Sequence, residues 1–178
     1  DDELLQAKVS DGKCNFLVAT EQGQSIRFDE GDVRAMGRTA RVVKAITLSS
    51  EDQVVGLEVL PKDSNVDLLV CTAGGYGKRI PVEEYRTQGR GGSGIITQKS
   101  IDKLGKVVTA KAVIDTDDIV ITTDQGQTIR MSSNDVSKMG RNTQGVRLIS
   151  LKTGEFVTGV AIIHDEGDED TPAPIDSN

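Results

Sequence analysis

Aromatic residues are nearly missing from this chain: three Phe, two Tyr and no Trp stand among 178 positions. Val, Ile and Leu must supply most of any core, and the branched Val and Ile suit the pleated surface of a strand. Histidine occurs once, at His164, and cysteine twice, at Cys14 and Cys71. That inventory makes no metal motif and reads as two reduced structural thiols in a cytosolic protein. Proline is scarce, at four, while glycine reaches 19, a balance expected of short strands joined by tight turns. No apolar run attains the ~18–20 residues of a membrane span, and no signal peptide is visible. The chain does not begin with Met and reads as a piece of something longer.

Positive charge is also in deficit, with a net of -7, which on its face argues against a nucleic-acid partner. The distribution matters more. Residues 165–178 hold six acids and no Lys or Arg, and Asp1, Asp2 and Glu3 add three more. With those nine acids set aside, residues 4–164 carry +2. A weakly basic body therefore precedes an acidic tail, which cannot bury enough apolar surface to order itself.

What the chain does have is repetition, the first thing to look for in a sequence of this kind. "FLVATEQGQSIRF" (Phe16–Phe28) returns as "IVITTDQGQTIRM" (Ile119–Met131), an offset of 103. The same offset carries "MGRTARVV" (Met36–Val43) onto "MGRNTQGV" (Met139–Val146), Ala7-Lys8 onto Ala110-Lys111, and Gly56 onto Gly159. A third copy lies between them, "LLVCTAGGYGKRIPVEEYRTQGRGGSGI" (Leu68–Ile95), with Gly77 as its turn glycine. The unit is about 50 residues long. Three complete units span roughly 4–53, 54–106 and 107–155, and a fourth opens at 156–163 before the acidic tail, 165–178.

Each unit reads as four short strands, in the first about Leu5–Val9, Asn15–Ala19, Ser25–Phe28 and Val42–Leu48. Gln22-Gly23 and Gln125-Gly126 suit hairpin turns, and "DEGDVRAM" and "SSNDVSKM" offer caps for a short helical turn. Four-stranded units in series predict a propeller-like array in which neighbours complete each other's core. Val9, Leu17, Val18, Ile26, Val55, Leu69, Val108, Ile121, Ile129 and Val160 are the expected core.

Two motifs fail their chemistry. Gly89, Gly91 and Gly94 spell a dinucleotide fingerprint, with Asp115 near the distance of a ribose-binding acid. "IITQKSIDKLGKVV" follows, without the apolar stripe of the helix such a site needs. "GGYGKR" lacks the Gly and the Ser or Thr of a phosphate loop, having Thr72 and Arg79 in their places. No triad or metal cluster is discernible.

The Gly/Arg clusters carry a family resemblance. "MGRTAR" (Met36–Arg41), "YGKRIPVEEYRTQGRGGSGI" (Tyr76–Ile95) and "MGRNTQGV" (Met139–Val146), in order and at blade spacing, resemble the closing blades of the C-terminal domain of the bacterial DNA gyrase A subunit. The resemblance covers nearly the whole chain. It implies an all-β, propeller-like β-pinwheel of four-stranded repeated blades with strands exchanged between neighbours, here incomplete at three blades plus part of a fourth. It implies a non-catalytic domain that wraps double-stranded DNA, largely irrespective of sequence, around a positive rim. Its partners would be the remainder of the gyrase A subunit together with the gyrase B subunit, in the bacterial cytoplasm at the nucleoid, during ATP-dependent negative supercoiling. No cofactor, metal, membrane or small-molecule substrate is implied. The family's box, Q-[RK]-R-G-G-[RK]-G, is present only as "QGRGGSG" (Gln88–Gly94), and Val42 stands where the family commonly has Gly.

The expected DNA contacts recur by unit: Arg27 with Arg38 and Arg41; Lys78 and Arg79 with Arg86 and Arg90; Arg130 with Arg141 and Arg147. Arg grips phosphate through its bidentate fork, and Gly opens backbone N–H groups to phosphate oxygens. If ~6–8 phosphates are neutralised, log K falls with log salt at a slope of about -5 to -7. The acidic tail is expected to compete for the same rim. The lack of aromatic platforms argues against single-stranded nucleic acid. Alternative readings are the substrate-selecting C-terminal domain of the topoisomerase IV A subunit, and a propeller-type protein-interaction scaffold.

Overall fold

The computed structural model describes residues 3–37, 42–99 and 101–164. Among these residues the strands are β1 (Cys14–Thr20), β2 (Gln24–Asp29), β3 (Val54–Pro61), β4 (Asp67–Thr72), β5 (Tyr76–Pro81), β6 (Ile95–Ile96), β7 (Val107–Val113), β8 (Asp118–Thr123), β9 (Thr128–Ser132), β10 (Val146–Arg147) and β11 (Val157–Ile163). One helical turn, α1 (Ile101–Leu104), ends at Gly105, whose N–H bonds Ile101 O. The expected all-β architecture is what the chain adopts.

The repeat begins with a hairpin. In each copy a Thr carbonyl accepts from a Gly three residues on: Thr20 from Gly23, Thr72 from Gly75 and Thr123 from Gly126. All three glycines have positive φ, which Gly adopts without strain. The middle turn glycine is thus Gly75, not Gly77, and the turns are spaced by 52 and 51 residues. Gly77 lies within β5 instead. After the second hairpin strand comes a single 3-10 turn, capped at Asp29 in the first copy and Ser132 in the third, where side-chain oxygens accept from Gly31 N and Asn134 N.

The hairpins sit in three antiparallel sheets, ordered β3-β1-β2-β6, β10-β5-β4-β7 and β11-β8-β9. The flanking strands are not local. β3 pairs β1 and β6 pairs β2, although both lie in the second repeat. β7 and β10 of the third repeat flank β4 and β5 in the same way, and β11 pairs β8. The second and third repeats therefore donate their first and last strands to the sheet of the repeat before. Strands β3, β7 and β11 pack against one another in series and form the inner edge. β6 and β10 lie on the outer edge.

This exchange explains where the expected elements differ. Residues 5–9 and 42–48 are irregular, not strands, because they correspond to donated strands and no earlier sheet among the described residues receives them. Val9 is 95% exposed for that reason, while Leu17, Val18, Ile26, Leu69, Ile121 and Val160 are buried as expected. Val55, Val108 and Ile129 are half-buried. One core lies between the first two sheets, around Leu17, Leu60, Leu68 and Tyr85, and another between the last two, around Leu69, Ile119 and Ile149. Cys14 and Cys71 are both buried and unpaired, and burial pushes the Cys71 thiol up to about 12.

The outer donated strands require a glycine immediately before them. A Cβ on Gly94 would lie 2.5 Å from Ser25 O, and one on Gly145 would lie 2.7 Å from Gly77 O, both at positive φ. Val42 occupies the matching position in the first repeat and is 94% exposed. Gly145→Ala combines backbone strain with overpacking and is expected to destabilise by about 3–5 kcal/mol. Gly126→Ala, at similar φ but in open space, should lose only about 1 kcal/mol. Denaturant unfolding of the two variants side by side checks this; equal losses would show that the close approach of donated strand to acceptor carries no weight.

Candidate nucleic-acid interface

The predicted basic residues separate into two groups. Arg27, Arg79 and Arg130 occupy the same place in successive hairpins, 52 and 51 residues apart. Arg27 Nη1 donates to Val82 O at 3.0 Å and Tyr85 O at 3.3 Å, at the 3-10 turn of the next repeat. Arg79 Nε donates to Val136 O at 3.0 Å, the equivalent carbonyl one repeat on. Arg79 is 2% exposed and its guanidinium also meets Asp115 at 2.5 Å and Asp67 at 3.5 Å. Lys138 closes this network on Asp67 at 3.1 Å and Asp115 at 3.3 Å. Arg79, and then Lys138, hold the Asp115 carboxyl below its ordinary range. Arg130 lies in the last described hairpin and pairs instead with Asp118 of its own sheet at 2.5 Å.

A second arginine series points the opposite way along the chain. Arg90 donates back to Asp32 O at 2.9 Å and Lys44 O at 3.2 Å in the first repeat. Arg141 donates to Ile96 O at 2.8 Å and lies 3.9 Å from the Glu84 carboxylate, both in the second repeat. Its guanidinium also lies over the Tyr85 ring, 6.0 Å from the centroid. Arg38 holds the matching sequence position in the first repeat but, like Arg41 and the acidic tail, lies outside the described residues. The two series staple each junction from both sides.

Lys78 is fully buried. Its ammonium donates to Arg141 O at 2.7 Å, Thr143 O at 2.8 Å and Gly140 O at 3.5 Å, so the loop of the third repeat folds around it. Burial draws its pKa down to about 8, with the charges of Arg141 and Lys99 acting the same way and Glu84 opposing. The expectation that Lys78 and Arg79 contact DNA is therefore corrected: neither reaches the surface, because each satisfies carbonyls or carboxylates inside a junction.

Lys62 and Lys106 are exposed next to the inner-edge strands β3 and β7, while part of the exposed positive charge lies on or beside the outer edge. Arg86, Arg90 and Arg147 belong to the expected set, and Lys44, Lys99 and Lys103 join them. Arg147 lies on β10 and donates to the Tyr76 hydroxyl at 3.1 Å; its charge, with that of Lys103, lowers the Tyr76 pKa. The side chains of Arg86, Lys99 and Lys103 make no ion pair or hydrogen bond among the described residues. The Gly/Arg clusters do not point to these lysines. Their signal is positional: Lys44 takes the place of Arg147 within the first repeat's outer segment, and Lys99 follows that of the second.

No arrangement for catalysis is evident among the described residues. His164 Nδ1 lies 2.9 Å from Asp117 Oδ1, which is buried. Asp11, Cys14 and Glu30 bring three potential metal ligands within 4.8 Å. Asp11 accepts from the Cys14 thiol at 3.2 Å and pushes its pKa up, which disfavours the thiolate a metal binds. No helix among the described residues is long and apolar enough to cross a membrane.

A family model described as "DNA gyrase C-terminal domain, beta-propeller" matches residues 15–61, 67–114 and 117–164. Each matched segment runs from the first hairpin strand of a sheet to its inner-edge strand. The DNA gyrase A subunit of Staphylococcus epidermidis (strain ATCC 12228) is 42% identical over 168 residues, 94% of this chain and 19% of that protein. The DNA gyrase A subunit of Staphylococcus aureus (strain MRSA252) is 43% identical over 170 residues, 96% of this chain and 19% of that protein. This chain thus spans about a fifth of the length of these relatives. Among solved structures, the C-terminal domain of DNA topoisomerase IV superposes with a TM-score of 0.81 at 20% identity, covering 88% of this chain and 49% of that one. A DNA gyrase A C-terminal domain gives 0.55 at 22% identity, covering 89% and 68%. At these identities the structural likenesses bear on the fold alone.

Two arginines of the hairpin series should behave differently when replaced. Arg79→Met leaves the buried Asp67 with Lys138 alone and removes the bond to Val136 O, and is expected to destabilise by about 2–4 kcal/mol. Arg130→Met removes an exposed ion pair and should change stability by less than about 1 kcal/mol. Lys78 gives a pH signature. Its folded pKa of about 8 lies below the ordinary 10.5, so the unfolded chain holds the proton more tightly between those values. Stability relative to Lys78→Met is then lowest below pH 8 and rises as pH increases through that window. Unfolding curves of both chains from pH 7 to 10 test the sign.

Proposed function

We propose that this chain, which belongs to the family of DNA gyrase C-terminal domains, binds duplex DNA along its outer edge and bends it, without chemistry of its own. The observation that carries this reading is the run of exposed cations Lys44, Arg86, Arg90, Lys99, Lys103 and Arg147 on or beside the outer donated segments. Wrapping asks for cations at intervals on a stiff curved edge, facing phosphates irrespective of sequence. The stapled junctions supply the stiffness. The finer reading is that the chain serves as part of a gyrase A subunit. It would act there with the remaining domains of that protein and with the gyrase B subunit in ATP-dependent supercoiling in the bacterial cytoplasm. Identity of 42% to gyrase A relatives over nearly the whole chain supports that reading over topoisomerase IV.

With Lys78 and Arg79 inside the protein, about 4–6 phosphates are expected to be neutralised, giving a log K against log salt slope of about -4 to -5. Replacing Lys99 and Arg147 together by Ala should weaken binding several-fold and make the slope shallower by about 2. Binding of linear duplex DNA across salt concentrations measures both, and ligation of relaxed circles alongside reports a linking-number change if the DNA is wrapped. A chain that fails to bind at low salt would sink the DNA reading; binding with an unchanged slope in the double variant would move the interface away from the outer edge.

A further inference from the structure

We propose that the outer face of the Gly140–Gly145 loop is a seat for one backbone phosphate of duplex DNA, and that the Glu84 carboxylate occupies this seat until DNA displaces it. The inference rests on the DNA-binding reading above and gives it a particular site. The seat is built from beneath. Lys78 turns the carbonyls of Gly140, Arg141 and Thr143 inward, and the Arg141 N–H is taken up by Glu84 Oε2 at 3.1 Å. The Glu84 carboxylate lies against Gly140, where a Cβ would come within 3.6 Å of both its oxygens.

The carboxylate fills this place imperfectly. Arg141 Nε is buried and has no hydrogen-bond partner, because Glu84 Oε2 stops 3.9 Å away. A buried donor left in this state is unfavourable. A phosphate group has more acceptor oxygens and a wider reach, and it would serve the Arg141 N–H and Nε together. The charge balance points the same way: Arg141 faces the Glu84 carboxylate, and the Lys78 ammonium beneath the loop feels Glu84 against the like charges of Arg141 and Lys99. Glu84 is 39% exposed and can turn into solvent. The junction before it is built differently, since Arg90 there donates to the backbone carbonyl of Asp32 and not to a carboxylate.

The test is duplex affinity at low salt for the chain and for Glu84→Gln and Glu84→Ala. Removing the internal anion is expected to tighten binding about 3–10-fold, as relief of a like-charge competitor does, and Arg141→Ala in the Glu84→Ala background should erase the gain. Should Glu84→Ala unfold, the isosteric Glu84→Gln decides alone. Inorganic phosphate titrated into the Glu84→Gln chain should shift the Arg141 amide resonance and be competed off by duplex. If the parent chain binds duplex and the Glu84 variants bind no tighter, the seat is wrong while the DNA reading stands. If phosphate binds at Arg141 and duplex does not displace it, the seat takes small anions and the proposal is overturned for DNA. If neither parent nor variants bind duplex, the underlying DNA reading falls first.

Discussion

The backward donation of strands is the constraint on which the rest of this structure depends. A hairpin such as β4–β5 is only half a sheet, and isolated hairpins are marginal in water. It becomes a four-stranded layer only when β7 and β10 arrive from the next repeat. Register then cannot drift, because the outer strand enters through a glycine packed against a carbonyl, Gly145 on Gly77 O and Gly94 on Ser25 O. Neighbouring sheets share chain as well as core. The junction between them is for that reason stiffer than simple face-to-face stacking of closed units.

That stiffness governs how the basic residues are used. An arginine at a strand end is most simply taken as solvated or as a ligand contact. Here the repeated arginine of the first two hairpins reaches the carbonyl after the next repeat's 3-10 turn, Tyr85 O from Arg27 and Val136 O from Arg79. The Gly-Arg loops answer from the other side, with Arg90 and Arg141 reaching back. Opposed staples resist both opening and sliding at a junction. They also remove cations from the surface, so the density of Arg in the repeats overstates the positive charge that a ligand meets.

The repeat, its length, the first and third hairpins and their capped turns were legible because each depends on local chemistry: a Gln-Gly turn, an Asp or Ser cap, and alternating Val, Ile and Leu. Even the placement of Leu17, Ile26 and Leu69 in the core follows from that alternation. The middle turn falls at Gly75 and not Gly77, in a stretch where three glycines compete for it. Two things were not legible. Residues 5–9 look like a strand by composition, and they lack only an acceptor sheet, which no property of the segment itself reports. Lys78 and Arg79 look like rim cations by sequence and are interior by context, since all the hydrogen-bond partners of their side chains lie 36 to 65 positions away. Pairing over such separations is a property of the exchange, and the exchange itself is invisible until one repeat is laid against the next.

A net charge of -7 and the proposed phosphate-binding edge are compatible for a reason of scale. Fields from exposed charges fade over about 8–10 Å at physiological salt, so a polyanion at the outer edge responds to the charges beside it and not to the net charge of the chain. Interior ion pairs such as Arg79 with Asp67 and Asp115 cancel locally. What remains at the edge is a short series of lysines and arginines spaced by the repeat, interrupted at one junction by Glu84. The spacing comes from strand donation, the stacking of successive sheets from the cores they share, and the availability of charge from which arginines the staples have already taken. The three are therefore not independent: a repeat that failed to donate its outer strand would misplace Arg147 or Lys99 as surely as replacing them.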